Sequence, residues 1–121
     1  MRRFFFALGL FALGLALAAA NPASADVIKP EEAQAHVGQT VTVEGAVSDV
    51  HHARSGRAIF IDLGGRYPNN VFTAVIFARD AEKFPNVDAL NGKTIDVTGP
   101  VQMRRGKPEI ILTDPAQLKS K

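Results

Sequence analysis

Seven basic or potentially basic side chains of this 121-residue chain fall in two short polar stretches. One reads H-H-A-R-S-G-R and holds His51, His52, Arg54 and Arg57; the other reads R-R-G-K and holds Arg104, Arg105 and Lys107. Neither contains an acid, so each can hold an anion without an internal competitor. Guanidinium and ammonium groups clustered this way suit phosphate oxygens. Phe60, in A-I-F-I-D-L between the two stretches, offers a flat apolar ring. Stacking a nucleobase on such a ring is worth about 1–3 kcal/mol. The bland alternative is two solvated hairpin tips, since charge clustering alone is a weak signal.

Other chemistries find less support. Asp49 and His51 are two residues apart on one strand face, with His52 adjacent, but a metal ion needs a third donor. His36 sits in a helical run with no reason to converge on them, so no metal site is expected. The absence of cysteine excludes thiolate metal ligation, cysteine catalysis, disulfides and a lipoprotein-type lipid anchor. Ser48 and Ser55 lie near the histidines without an orienting acid or an oxyanion site, and no glycine-rich phosphate loop is present. No catalytic residue and no cofactor is expected. The chain reads as a binder, not an enzyme.

The elements that must position these residues follow from pattern. Arg2 and Arg3, an apolar run from Phe4 to Ala20 and the small residues Ala23-Ser24-Ala25 have the layout of a cleaved signal peptide spanning 1–25. Residues 26–121 then form one small domain, exported to the periplasm or beyond, with no membrane attachment after cleavage. Removing Arg2 and Arg3 from the 14 Lys and Arg leaves as many bases as the 12 acids. Net charge therefore argues for no partner class, and only the local clustering does.

Within 26–121, Pro30 opens a short helical run, E-E-A-Q-A-H-V, that Gly38 ends. A strand begins at Thr40, with Val41, Val43 and Val47 on its inner face and a bend at Gly45. Ala58 to Leu63 alternates, which puts Ile59, Ile61 and Leu63 inside and Phe60 and Asp62 outside. Val71 to Ala78 is apolar on both faces and reads as a central strand, with Phe72 and Phe77 in the core. Asp80 to Leu90 is a short helix or irregular connection broken at Pro85. G-K-T-I-D-V-T-G-P-V from Gly92 then repeats G-Q-T-V-T-V-E-G-A-V from Gly38, and two such bent strands can pair with each other. A turn at Arg104–Lys107 leads to a fifth strand, Pro108 to Leu112, and Ala116 to Lys121 reads as a polar tail.

Three strands, a short helix and two more strands, with glycine-marked bends in the first and fourth, is the layout of an all-β, five-stranded OB-fold Greek-key barrel. The residues V-x-V-x-G-x-V from Val41, then Arg54, and G-x-x-x-F-x-x-L from Gly56 to Leu63, resemble the anticodon-binding OB domain of class II aminoacyl-tRNA synthetases. That resemblance implies that Phe60 stacks on a nucleobase and that nearby polar residues read base edges. Asp62 and the Gly64-Gly65 pair depart from the family pattern. In size, leader and plan the chain is also similar to small periplasmic bacterial OB-fold proteins linked to stress responses, although it has no tryptophan.

Two readings follow. In the first, the face of the second and third strands binds single-stranded nucleic acid or a nucleotide-like anion, with Phe60 stacking and Arg54, Arg57, Arg104, Arg105 and Lys107 holding phosphate. In the second, the same face is a periplasmic ligand- or protein-interaction module with a stress-related role.

Overall fold

A computed structural model describes residues 25–121. The leader expected at 1–25 lies, except for Ala25, outside them. Eight strands make one sheet: β1 (Val27–Ile28), β2 (Thr40–His52), β3 (Ala58–Leu63), β4 (Phe72–Phe77), β5 (Thr94–Pro100), β6 (Gln102–Arg104), β7 (Lys107–Ile111) and β8 (Leu118–Ser120). Their order is β6-β7-β4-β3-β2-β5-β8, with β1 paired in parallel to β2. All the other neighbours run antiparallel except β4 and β7, which are parallel.

The long strand β2 holds the sheet together because it serves two partners. Its first half pairs with β5 from Thr40↔Pro100 to Ala46↔Thr94, and its second half pairs with β3. Between them the register slips at Val47/Asp49, leaving Ser48 without an opposite residue. A bulge of this kind bends a strand and flips the alternation of its side chains. Val47 and Val50 consequently both point toward the core side, opposite Leu63 and Ile61, while Asp49 and His51 come to share the outer face.

The core is filled by Val41, Val43, Ile61, Leu63, Phe72, Ala74, Ile76, Ile95, Val97, Ile110 and Leu112, all essentially excluded from solvent. The sequence alternation of β3 is reproduced, with Ile59, Ile61 and Leu63 inward. Phe72 is in the core as expected, whereas Phe77 at the end of β4 is only half-buried.

The two ten-residue repeats pair with each other as the sequence implied, and they do so symmetrically. The Gly38 N–H donates to the Val101 carbonyl and the Gly92 N–H to the Val47 carbonyl, at 2.8 and 3.0 Å. The Val101 N–H likewise donates to Gln39 and the Val47 N–H to Lys93, at 3.0 and 2.8 Å. Val43 and Val97, equivalent positions in the repeat, face each other across the ladder. The repeats thus form a ribbon with a local two-fold axis. Glycine is needed within it at Gly99, where an added Cβ would come 2.7 Å from the Ile110 side chain.

The fold departs from the five-strand layout in detail. Pro30–His36 is a 3-10 helix, and the connection between β4 and β5 is two more, Ala78–Lys83 and Val87–Leu90, on either side of Pro85. Turns of 3-10 type are frequent in such short connectors. The expected polar tail is instead ordered: Pro115–Gln117 forms a turn capped by the Asp114 carboxylate, and β8 then pairs with β5. Composition hid this strand, because β8 lies at the sheet edge, where polar side chains are the rule.

Candidate nucleic-acid interface

The bulged end of β2, β3, β4, β7 and β6 present one continuous outer face. Cross-strand register sets its chemistry in rows. Asp49, Asp62, Thr73, Glu109 and Gln102 are successive neighbours across the five strands, a polar row. His51, Phe60, Val75 and Ile111 form the adjacent apolar row. Over this face lies a groove of about 830 Å³, flanked by the β2–β3 loop and the β6–β7 turn.

The groove gathers most of the residues singled out in the sequence. His51, His52, Arg54, Phe60, Arg104, Arg105 and Lys107 all line it. Arg57 does not. It lies exposed at the foot of β3, where its N–H meets the Ser55 hydroxyl at 3.2 Å and its carbonyl accepts from Ala78. Among the described residues no carboxylate pairs with Arg54, Arg104 or Arg105. These three guanidinium groups are available at the rim.

Lys107 is committed elsewhere. Its Nζ donates to the Asn70 Oδ1 at 3.0 Å and to the Pro68 carbonyl, and it stands 5.7 Å from the centre of the Tyr67 ring. Its charge therefore fastens the 64–71 loop to the sheet. Phe60 is not a bare platform either. The His51 ring stacks on it at 5.1 Å between centroids and 30° between planes, and Tyr67 follows at 6.0 Å from His51. Tyr67 is 70% exposed, so the solvent-facing edge of this aromatic ladder is the loop tyrosine that the sequence offers as a second exposed aromatic.

The floor of the groove is anionic and buried. Asp62 is 1% exposed and Glu109 4%. The Asp62 Oδ1 accepts from Asn70 Nδ2 at 3.3 Å and from the Thr73 hydroxyl at 3.2 Å, while its Oδ2 lies 3.1 Å from His51 Nε2. Burial pushes the Asp62 carboxyl above the usual range; the facing His51 and the Thr73 hydrogen bond counter it only in part. Gln102 Nε2 donates to the Glu109 Oε2 at 2.9 Å. Sequence reading placed Asp62 on the outer face but had no means of seeing it covered, since the cover comes from Asn70 and Thr73 across a loop. His52, beside His51 in sequence, turns away to the exposed Asp88 at 3.0 Å.

Chemically, the arrangement has a cationic rim, an aromatic wall and an acceptor floor. It can hold a planar group carrying an anionic tail.

No described protein family and no curated protein matches this chain. Solved structures do. The chain superposes on an aspartyl-tRNA synthetase from Leishmania major at 17% identity and a TM-score of 0.54, covering 80% of this chain and 21% of that one. It matches the aspartyl-tRNA synthetase of Entamoeba histolytica at 21% identity and a TM-score of 0.52, covering 74% and 20%. An OBody bound to hen egg-white lysozyme matches at 17% identity and a TM-score of 0.52, covering 72% and 83%. This chain spans about a fifth of the length of either synthetase. At these identities the likeness is one of fold, an all-β, OB-like fold.

Proposed function

We propose that this protein is an exported, non-enzymatic OB-fold binding protein whose groove takes single-stranded nucleic acid or a nucleotide-like anion. The observation that carries this reading is the convergence of Arg54 from one loop and Arg104 and Arg105 from another on a groove walled by Phe60, His51 and Tyr67. In OB-folds the loops joining strands one to two and four to five flank the binding face. Two of the structures sharing the fold are tRNA synthetases, in keeping with the same assignment. Stacked bases would meet the aromatic wall, and phosphates would stay at the rim, away from Asp62 and Glu109.

Fluorescence-anisotropy titration with a labelled single-stranded oligonucleotide at several salt concentrations tests this. Each phosphate neutralised on a single strand contributes a slope of about −0.7 to log affinity against log salt. Three arginines therefore give a slope of about −2, and Arg104→Ala/Arg105→Ala should bring it to about −0.7. A salt-independent affinity, or no binding at low salt, would reject the reading.

A protein-binding module is the second reading, favoured by the exposed Tyr67 at the groove mouth. The OBody shows that the fold can hold a protein. Binding of this kind would survive high salt and depend on Tyr67 more than on the arginines.

A further inference from the structure

The middle of the groove poses an electrostatic problem. Asp62 is buried at its floor, yet it touches no lysine and no arginine. Among the described residues, the one side chain of opposite potential charge that meets it is His51, an imidazole that is neutral unless protonated. Asp49, its cross-strand partner, adds a second carboxylate on the same face, with only the exposed Arg66 at 3.7 Å for company. Burying a carboxylate without a cation is costly, and proteins meet that cost by taking up a proton, with a counter-ion or with a metal.

We propose that Asp49, His51 and Asp62 bind a first-row divalent metal ion of the zinc type. One donor atom from each lies within 4.8 Å of the others. The closest pair, His51 Nε2 and Asp62 Oδ2, stands 3.1 Å apart. Two ligands at the tetrahedral angle about 2.1 Å from one ion are separated by about 3.4 Å, so this pair has to open by only about 0.3 Å to take zinc. The surroundings fit as well. The Asp62 Oδ1 is held by Asn70 and Thr73, which leaves Oδ2 aimed at His51, the orientation that hydrogen bonds from outside a site impose on a ligating carboxylate. One imidazole and two carboxylates suit zinc or manganese. Magnesium and calcium prefer all-oxygen shells with more ligands.

The bulge at Ser48 builds the site, since it turns Asp49 and His51 together onto the outer face, beside Asp62. Three protein donors leave a fourth position for a ligand, and two of the three line the groove. An ion there would offset the charge of the two ligating carboxylates and so reduce their repulsion of an anion held by the rim arginines. The site stands whether or not the groove takes nucleic acid.

Isothermal titration calorimetry of zinc chloride into tag-free, chelator-treated protein near neutral pH tests it. One ion per chain is expected, undisplaced by excess magnesium or calcium. His51→Ala and Asp62→Asn should each weaken binding by at least about a hundredfold; Thr73→Val, which touches no ion, should weaken it about tenfold. His36→Ala should change nothing. Circular dichroism verifies folding, and if Asp62→Asn does not fold, Asp49→Asn at the less covered position carries the same test. Absence of zinc binding in the wild type overturns the proposal. So does zinc affinity that survives both ligand substitutions or that is lost in His36→Ala.

Discussion

Glu44 and Asp96 face each other across the β2–β5 ladder, and Lys121 reaches back to both, at 2.9 Å and 3.8 Å. The hydrogen bond from Lys121 holds the Glu44 carboxyl below its ordinary range, and contact with Asp96 adds to it. Burial and the neighbouring Glu44 push the Asp96 carboxyl up, and one of its oxygens is buried without a hydrogen-bond partner. A depressed Glu44 contributes stability that is present above the usual carboxylate range and is lost as pH falls through its lowered pKa. Lys121→Met should therefore lower the melting temperature at neutral pH and lose that effect in acid, as pH falls through the lowered Glu44 pKa, which thermal melts across pH will show. None of this was legible in the sequence, where Lys121 is the last residue of an unremarkable polar stretch. The rim arginines could be read because their clustering is local; the engagement of Lys107 and the burial of Asp62 could not, because both depend on a loop folding back. Arg57 shares the composition of the loop cluster, but its place at the foot of β3 leaves it outside the groove lining.

At the level of elements, alternation and glycine spacing located β2, β3, β4 and β7 to within a residue or two, since a half-buried strand writes its period directly into the chain. The turn at Arg104–Lys107 was equally plain. What the pattern could not reveal was the slip at Ser48. A bulge is a mismatch between two strands, and neither strand's own sequence records it. That slip matters most for the outer face, since it aligns Asp49 and His51 with Asp62 and Phe60. The similarity between Gly45 and Gly99 was visible as a bend signal, and at Gly99 packing supplies the reason. The position abuts Ile110 and, at 3.0 Å, the Gln117 amide. Gly99→Ala forces a methyl between β5 and β7 and should cost about 1–3 kcal/mol in chemical denaturation. Gly92→Ala meets no such wall, so its cost arises only from the positive φ of 84°.

For the molecule as a whole, one half of the sheet is devoted to cohesion and the other to contact. The β2–β5 ribbon and β8 carry the repeats and the Lys121 tie, while the bulged end of β2 with β3, β4, β7 and β6 carries the groove. Among the described residues no helix is long and apolar enough to cross a membrane. The symmetry of the ribbon has a consequence for how chains meet one another. A strand that pairs with its own near-copy about a two-fold axis is self-complementary, and it recognises that copy equally well on a second molecule. Within one chain the 78–91 connection keeps the correct partner at high effective concentration, and the intramolecular pair wins. Any treatment that opens that connection should convert the same ladder into an exchanged dimer, visible by size-exclusion chromatography as a species that persists on dilution and reverts only after unfolding.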